Sequence, residues 1–464
     1  MTALSSYFRE RVDVIGDPLF LGVGLARGAD LPFVLYERDE QWAFGSGTIF
    51  ELVMYQHEIR VRLNSDWLTI PTRNNPLQCV AELLSNIPIA GWRAYGWASF
   101  ELSYLLHGLP DAVGATRLLH LIVPAREVLL GAGTAELRAV RKTDLTVLRA
   151  ALGESPPVPA RLPCELDTSG VEADGYRRMV AAAVEEIRRR RLQKVILSRI
   201  VPVPGDIDLV STYQAGRRGN TPARSFLLDL GAQRSAGFSP ETVVEISADG
   251  KVSTQPLAGT RALTGDPVVD LNLRAELLGD PKEIFEHAIS VQVAQEELRT
   301  VCDAGSVRVT DFMAVEQRGS VQHLSSRVSG QLEQGRNAWH AFAKLFPAVT
   351  VSGIPKAAAC KFIRRYENGL RNLYSGAVFV ADADGGLDAA LVLRAVFQQS
   401  GRTWLRAGAG IVEQSTPDRE FEETCEKLRS ISRFLVPAGA SRDDYPAIAT
   451  THGAWRRLQA DERK

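Results

Sequence analysis

Lys194-Val195-Ile196-Leu197-Ser198-Arg199-Ile200-Val201-Pro202-Val203 is rich in β-branched apolar residues and reads as a strand, with Lys194, Ile196, Ser198 and Ile200 on one face. An amphipathic helix over 174–190 leads into it. Downstream, further strand-like runs follow at 225–230, Thr242–Ile246 and Lys251–Thr254. Helices are predicted at 281–302, 338–346, 355–369 and 418–436, and strands at 376–381, 387–398 and 403–407. Strand runs and helix runs do not alternate strictly. The pattern therefore predicts an α+β sandwich rather than a doubly wound parallel sheet.

Upstream, short strand-like runs at 33–37, 94–100 and 118–123 accompany a helix near 77–86. Gly153-Glu154-Ser155-Pro156-Pro157-Val158-Pro159-Ala160-Arg161-Leu162-Pro163 cannot continue a helix or a central strand, because proline lacks the N–H that either needs. It divides the chain near Glu165, giving an N-terminal part over 1–165, a main region over 166–436 and a loosely held tail over 437–464.

With 464 residues and 45% hydrophobic content, the chain has ample material for a core. A net charge of −1 gives no electrostatic case for nucleic acid or an anionic membrane surface. Cys79, Cys164, Cys302, Cys360 and Cys425 are scattered and form no CxxC pair, so neither a disulfide framework nor a zinc site is expected. No signal-like segment opens the sequence and no run is long enough to span a membrane, so a cytoplasmic location is expected.

Two glutamate pairs at helical spacing carry the chemistry. One lies in Pro281-Lys282-Glu283-Ile284-Phe285-Glu286-His287, the other in Arg419-Glu420-Phe421-Glu422-Glu423-Thr424-Cys425-Glu426-Lys427. Glu420, Glu423 and Lys427 share a helix flank beside the apolar stripe of Phe421, Cys425, Leu428 and Ile431, whereas Glu422, Glu426 and Arg429 face away. The earlier helix is apolar nearly all round, which predicts cover on most sides. Carboxylates buried there need a cation, a proton or basic neighbours. Hard oxygen ligands of this kind suit Mg2+. Ordinary salt-bridged helices give the same spacing, and the accompanying motifs decide between the two.

Those motifs are Lys194 to Arg199, Phe238-Ser239-Pro240-Glu241, Pro256-Leu257-Ala258-Gly259-Thr260-Arg261, Gln322-His323-Leu324, Phe346 to Lys356, Tyr374-Ser375-Gly376, Leu393-Arg394 and Arg406-Ala407-Gly408-Ala409-Gly410. In this order, with the two glutamate helices, the chain resembles the chorismate-utilising enzymes, which include anthranilate synthase component I, aminodeoxychorismate, isochorismate and salicylate synthases. The resemblance implies a single large α+β domain, an antiparallel sandwich with helices outside and a deep cleft, in which the Pro-rich segment is a surface loop. It implies that Glu283, Glu286, Glu420 and Glu423 surround Mg2+ and hold the ring carboxylate of chorismate. Gly259, Thr260, Gly408 and Gly410 would approach a substrate carboxylate, Tyr374 and Arg394 would hold the enolpyruvyl carboxylate, and His323 would pack beside the ring, a structural histidine being the alternative there. Lys282, Lys427 and Arg394 would offset the excess negative charge.

By the same resemblance Lys194 is the base that activates water, which needs a neutral amine. Glu241 is the general acid for the departing 4-hydroxyl, which needs a raised pKa. Anthranilate synthases carry glutamine where Lys194 stands, and aminodeoxychorismate synthases place a nucleophilic lysine where this chain has Ala258, so both amination chemistries and a glutaminase subunit are disfavoured. Thr350, the Lys194–Arg199 run and Tyr95-Gly96-Trp97-Ala98-Ser99-Phe100-Glu101 look like the salicylate synthases of siderophore pathways. The implied activity is Mg2+-dependent conversion of chorismate to salicylate and pyruvate through isochorismate by a monomer, with an isochorismate synthase as the alternative.

Overall fold

Along Phe33–Arg38, Val34 and Tyr36 pack into one apolar cluster while Phe33 and Leu35 pack into another. Phe226 and Leu228 alternate with Leu227 in the same way, as do Ala395 and Phe397 with Val396. Such strands are covered on both faces, which is why they read as continuous apolar runs. In the computed structural model, which describes residues 6–63, 66–73, 75–153, 171–231, 233–319 and 321–439, they build two stacked sheets. The segment beyond Gly153 that suggested a linker, and nearly all of the tail, lie outside the described residues.

Among the described residues one sheet has 11 strands and the other 12, and their ladders are antiparallel. Tyr36, Tyr95, Trp97, Phe226, Tyr374 and Phe397 fill the layer between the sheets. Helices cover the outer faces: Pro18–Arg27, Leu209–Arg218, Lys356–Tyr366 and Pro417–Ser432 on the first sheet, Pro281–Arg299 and Ala338–Leu345 on the second. The result is a four-layer α+β sandwich within a single domain, as expected. Among the described residues no helix is long and apolar enough to cross a membrane.

One element departs from the sequence expectation in a way that matters. The run 387–398 is not one strand but two, Leu387–Leu391 in the second sheet and Ala395–Gln399 in the first. Val392 and Leu393 keep the run apolar because they are wrapped by the inter-sheet core at the crossing. The chain turns at Arg394, whose φ of 48° lies in the left-handed region.

Candidate active site

The crossing at Arg394 opens a cavity of about 950 Å³, mouth included, between the sheets and beneath the two glutamate helices. Glu241, Gly259, Thr260, Glu283, Glu286, His323, Thr350, Tyr374, Arg394, Gly408, Gly410, Glu423 and Lys427 line it. Lys194 and Glu420 lie just behind this wall, Lys194 against Glu286 and Glu420 against Lys282. The residues singled out from sequence are thus drawn into one place from segments spread over more than 200 positions.

Lys194–Val203 pairs antiparallel with Arg402–Ile411, setting Ile196 opposite Gly410 and Ser198 opposite Gly408. A side chain at Gly410 would collide with the Glu286 carboxylate, and one at Gly408 with the Leu197 carbonyl. Gly259 sits at a bulge between Ala258 and Thr260 with φ +82°, and an added Cβ there would lie 3.2 Å from Glu283 Oε2. Glycine at 259 and 410 is what lets the acids of the first glutamate helix lie directly on the strands.

That helix, Pro281–Arg299, is capped by the Asp280 carboxylate, which accepts from Lys282 N at 2.9 Å, with Pro281 in its first turn. The expectation that it is covered on most sides is corrected. His287, Ser290, Val291, Ala294 and Leu298 are buried, but Phe285 is 50% exposed, because only one flank rests on the sheet. The second helix, Pro417–Ser432, orients as its pattern predicts: Glu420, Phe421, Cys425, Leu428 and Ile431 are buried, and Glu422, Glu426 and Arg429 are exposed.

Each of the four acids has a cationic partner. Glu286 Oε1 is 2.9 Å from Lys194 Nζ, Glu420 Oε1 is 3.1 Å from Lys282 Nζ, Glu423 Oε1 is 2.8 Å from Lys427 Nζ and Glu283 Oε1 is 3.2 Å from Arg261. Glu420 is 0% exposed, and its Oε2 has no hydrogen-bond partner among the described residues. Burial and the neighbouring Glu423 push the Glu420 carboxyl up to about 7. Burial and Glu286 likewise raise Glu283. Burial works in the same direction on Glu423, but Lys427 outweighs it and holds that carboxyl below its ordinary range. Among the described residues no three acid, histidine or cysteine side chains lie close enough together to hold a metal ion by themselves. An open array of hard oxygens with one orphan fits Mg2+, which keeps several of its waters.

Glu241 is 2% exposed and follows the strand Arg234–Ser239. Its Oε2 accepts from Leu257 N at 2.7 Å and its Oε1 from the Thr350 hydroxyl. Burial nevertheless pushes its carboxyl up to about 7. Lys194 is fully enclosed, and its Nζ also lies 3.1 Å from Ser290 Oγ.

His323 lines the cavity, and both of its ring nitrogens are engaged. Its Nε2 is 2.8 Å from an Arg394 guanidinium nitrogen, and its Nδ1 is 3.0 Å from Thr260 Oγ1. Arginine can only donate, so Nε2 accepts and the ring proton resides on Nδ1. Burial and Arg394 hold the imidazole well below its ordinary pKa, hence neutral. His323 thus links the Arg394 fork to Thr260.

Sequence reasoning gave no role to Arg261, Ser290 or the buried cluster in which Glu367 accepts from Ser198 N at 2.7 Å, from Arg371 and from Arg406. Arg371 and Arg406 lie 5.9 and 5.5 Å from the Tyr374 ring centre. The only signal for Arg406 was its place in the Arg406–Gly410 run, two residues before Gly408.

The sandwich and its acid-lined cavity define a class: the chain belongs to the family described as chorismate binding enzyme, whose model matches residues 31–433. Salicylate synthase of Mycolicibacterium paratuberculosis is 41% identical over 421 residues, covering 90% of this chain and 92% of that protein. Anthranilate synthase component I from Streptococcus pneumoniae superposes with a TM-score of 0.72 at 24% identity, over 86% of this chain and 92% of that one. A putative 2,3-dihydroxybenzoate-specific isochorismate synthase from Bacillus anthracis gives 0.68 at 21% identity, over 89% and 99%. These two structures share the fold.

Proposed function

We propose that this chain is a Mg2+-dependent salicylate synthase that converts chorismate to isochorismate and then to salicylate and pyruvate. The observation that carries the reading is the burial of Lys194 and Glu241 at one acid-lined cavity, with Ala258 rather than lysine before Gly259. The 41% identity to a salicylate synthase across most of both chains supports it.

Glu283, Glu286, Glu420 and Glu423 would hold the cation. When bound, Mg2+ neutralises the ring carboxylate of the substrate and fixes its position. Arg394, kept in place by His323 and the Arg318 carbonyl, offers a charged donor to the enolpyruvyl carboxylate, with the Tyr374 hydroxyl beside it. Lys194 takes a proton from water as the oxygen adds to carbon 2 of the ring. To do so it must first release the proton that binds it to Glu286. Glu241, protonated near neutral pH, donates to the departing 4-hydroxyl. Chorismate gains one water and loses one, so the first step is an isomerisation.

In the second step the carbon 3–oxygen bond breaks and hydrogen passes from carbon 2 to the enolpyruvyl carbon, giving aromatic salicylate and pyruvate. This internal transfer needs restraint of the side chain over the ring more than a further acid or base, and the Arg394–His323–Thr260 chain provides it. No glutaminase subunit is required, and we place the activity in the cytoplasm, in a monomer, supplying salicylate to siderophore or related secondary metabolism. Purified protein incubated with chorismate and Mg2+ is expected to produce salicylate fluorescence and equimolar pyruvate, both abolished by a chelator. Accumulation of isochorismate without pyruvate would instead mark an isochorismate synthase.

A further inference from the structure

Among the ion pairs at the four acids, three keep to one helix or run to a strand: Glu423 pairs within its own helix, while Glu286 and Glu283 pair with Lys194 and Arg261 on neighbouring strands. Among the described residues Lys282 alone reaches from the first glutamate helix to the second. It occupies the first turn of its helix, where the exposed N–H groups make a positive charge unfavourable. Its backbone is pinned there by Asp280. Its side chain is 23% exposed and ends 3.1 Å from the Glu420 carboxylate, which is wholly enclosed and has no hydrogen-bond partner on its other oxygen among the described residues. A lysine held against the helix dipole, and the one ion-pair partner of a buried acid among the described residues, acts as a counter-ion for that acid.

We propose that Lys282 is the internal counter-ion of the acidic site: its ammonium ties the two glutamate helices together while no divalent cation is bound, and competes with that cation for Glu420. The inference rests on the reading of the four acids as the Mg2+ site. Its consequence is a site that stays assembled without metal and binds Mg2+ more weakly than four carboxylates alone would, so the cation remains exchangeable. Lys282 is a positioning residue here and takes no part in bond making.

The test is titration of the full chain with Mg2+ alone, by calorimetry and by thermal unfolding, for wild type, Lys282→Gln and Lys282→Arg. Lys282→Gln removes the charge and retains a donor. It is expected to unfold at lower temperature than wild type without Mg2+, to bind Mg2+ at least about fivefold more tightly, and to show a larger Mg2+-induced rise in unfolding temperature. Lys282→Arg keeps the charge and should respond as wild type does. If Lys282→Gln folds only in Mg2+ and unfolds on chelation while wild type survives, that too supports the role. Wild-type or weaker Mg2+ affinity in Lys282→Gln, or a loss of stability that is the same with and without Mg2+, overturns it. If wild type itself neither binds Mg2+ nor is stabilised by it, the metal reading fails first and the role of Lys282 falls with it.

Discussion

Glu241 is fully enclosed, yet two donors reach its carboxylate, and burial outweighs them. Because its carboxyl is raised from about 4.5 to about 7, it contributes stability below the lower value that is lost as pH rises through the higher one. Lacking that titration, Glu241→Gln should gain stability relative to wild type between those pH values, by up to about 3 kcal/mol, measured by urea unfolding across pH. The same variant should lose 10²- to 10⁴-fold in kcat, by the usual contribution of a general acid. The wild-type rate should fall above about pH 7, where the acid is spent. Much of this was legible in sequence, because residue types and their order suffice for the acids, Lys194 and Glu241. The bridging place of His323 was not: it depends on Arg394 and Thr260, which are brought together only by the crossing between sheets.

At the scale of elements, the second glutamate helix could be read directly, since its charged and apolar residues separate cleanly by helical angle. The first could not, because Ile284 and Phe285 suggest a cover that the fold does not supply. The run 387–398 misled for a related reason: periodicity cannot reveal that one apolar stretch serves two sheets in succession. Two substitutions probe these junctions. Gly410→Ala would push its methyl into the Glu286 carboxylate, and kcat/KM is expected to fall by about 10²-fold or more with little change in unfolding temperature. Arg394→Lys loses the fork that spans His323 and the Arg318 carbonyl; steady-state kinetics should show KM raised by about tenfold or more.

Across the whole molecule, the α+β sandwich follows from the strand and helix order, whereas the polar linkage holding the cavity floor does not. Glu367 follows the helix Lys356–Tyr366, accepts from Ser198 N on the strand opposite Gly408, and is clasped by Arg371 and Arg406. Arg371 and Arg406 hold the Glu367 carboxyl below its ordinary range despite complete burial. Neutralising it would leave two buried guanidiniums short of charge, so Glu367→Gln should cost about 3–5 kcal/mol in urea unfolding. Glu367 and Arg371 stand four residues apart, but Arg406 comes from a separate strand, so no sequence spacing betrays the cluster as a whole. The central claim for the molecule is that its acid-lined cavity adds water to an anionic ring. Conversion of chorismate in ¹⁸O-labelled water, followed by mass spectrometry of the salicylate, tests this most directly. One ¹⁸O in the phenolic hydroxyl is predicted, whereas unlabelled salicylate, or none, would contradict the claim.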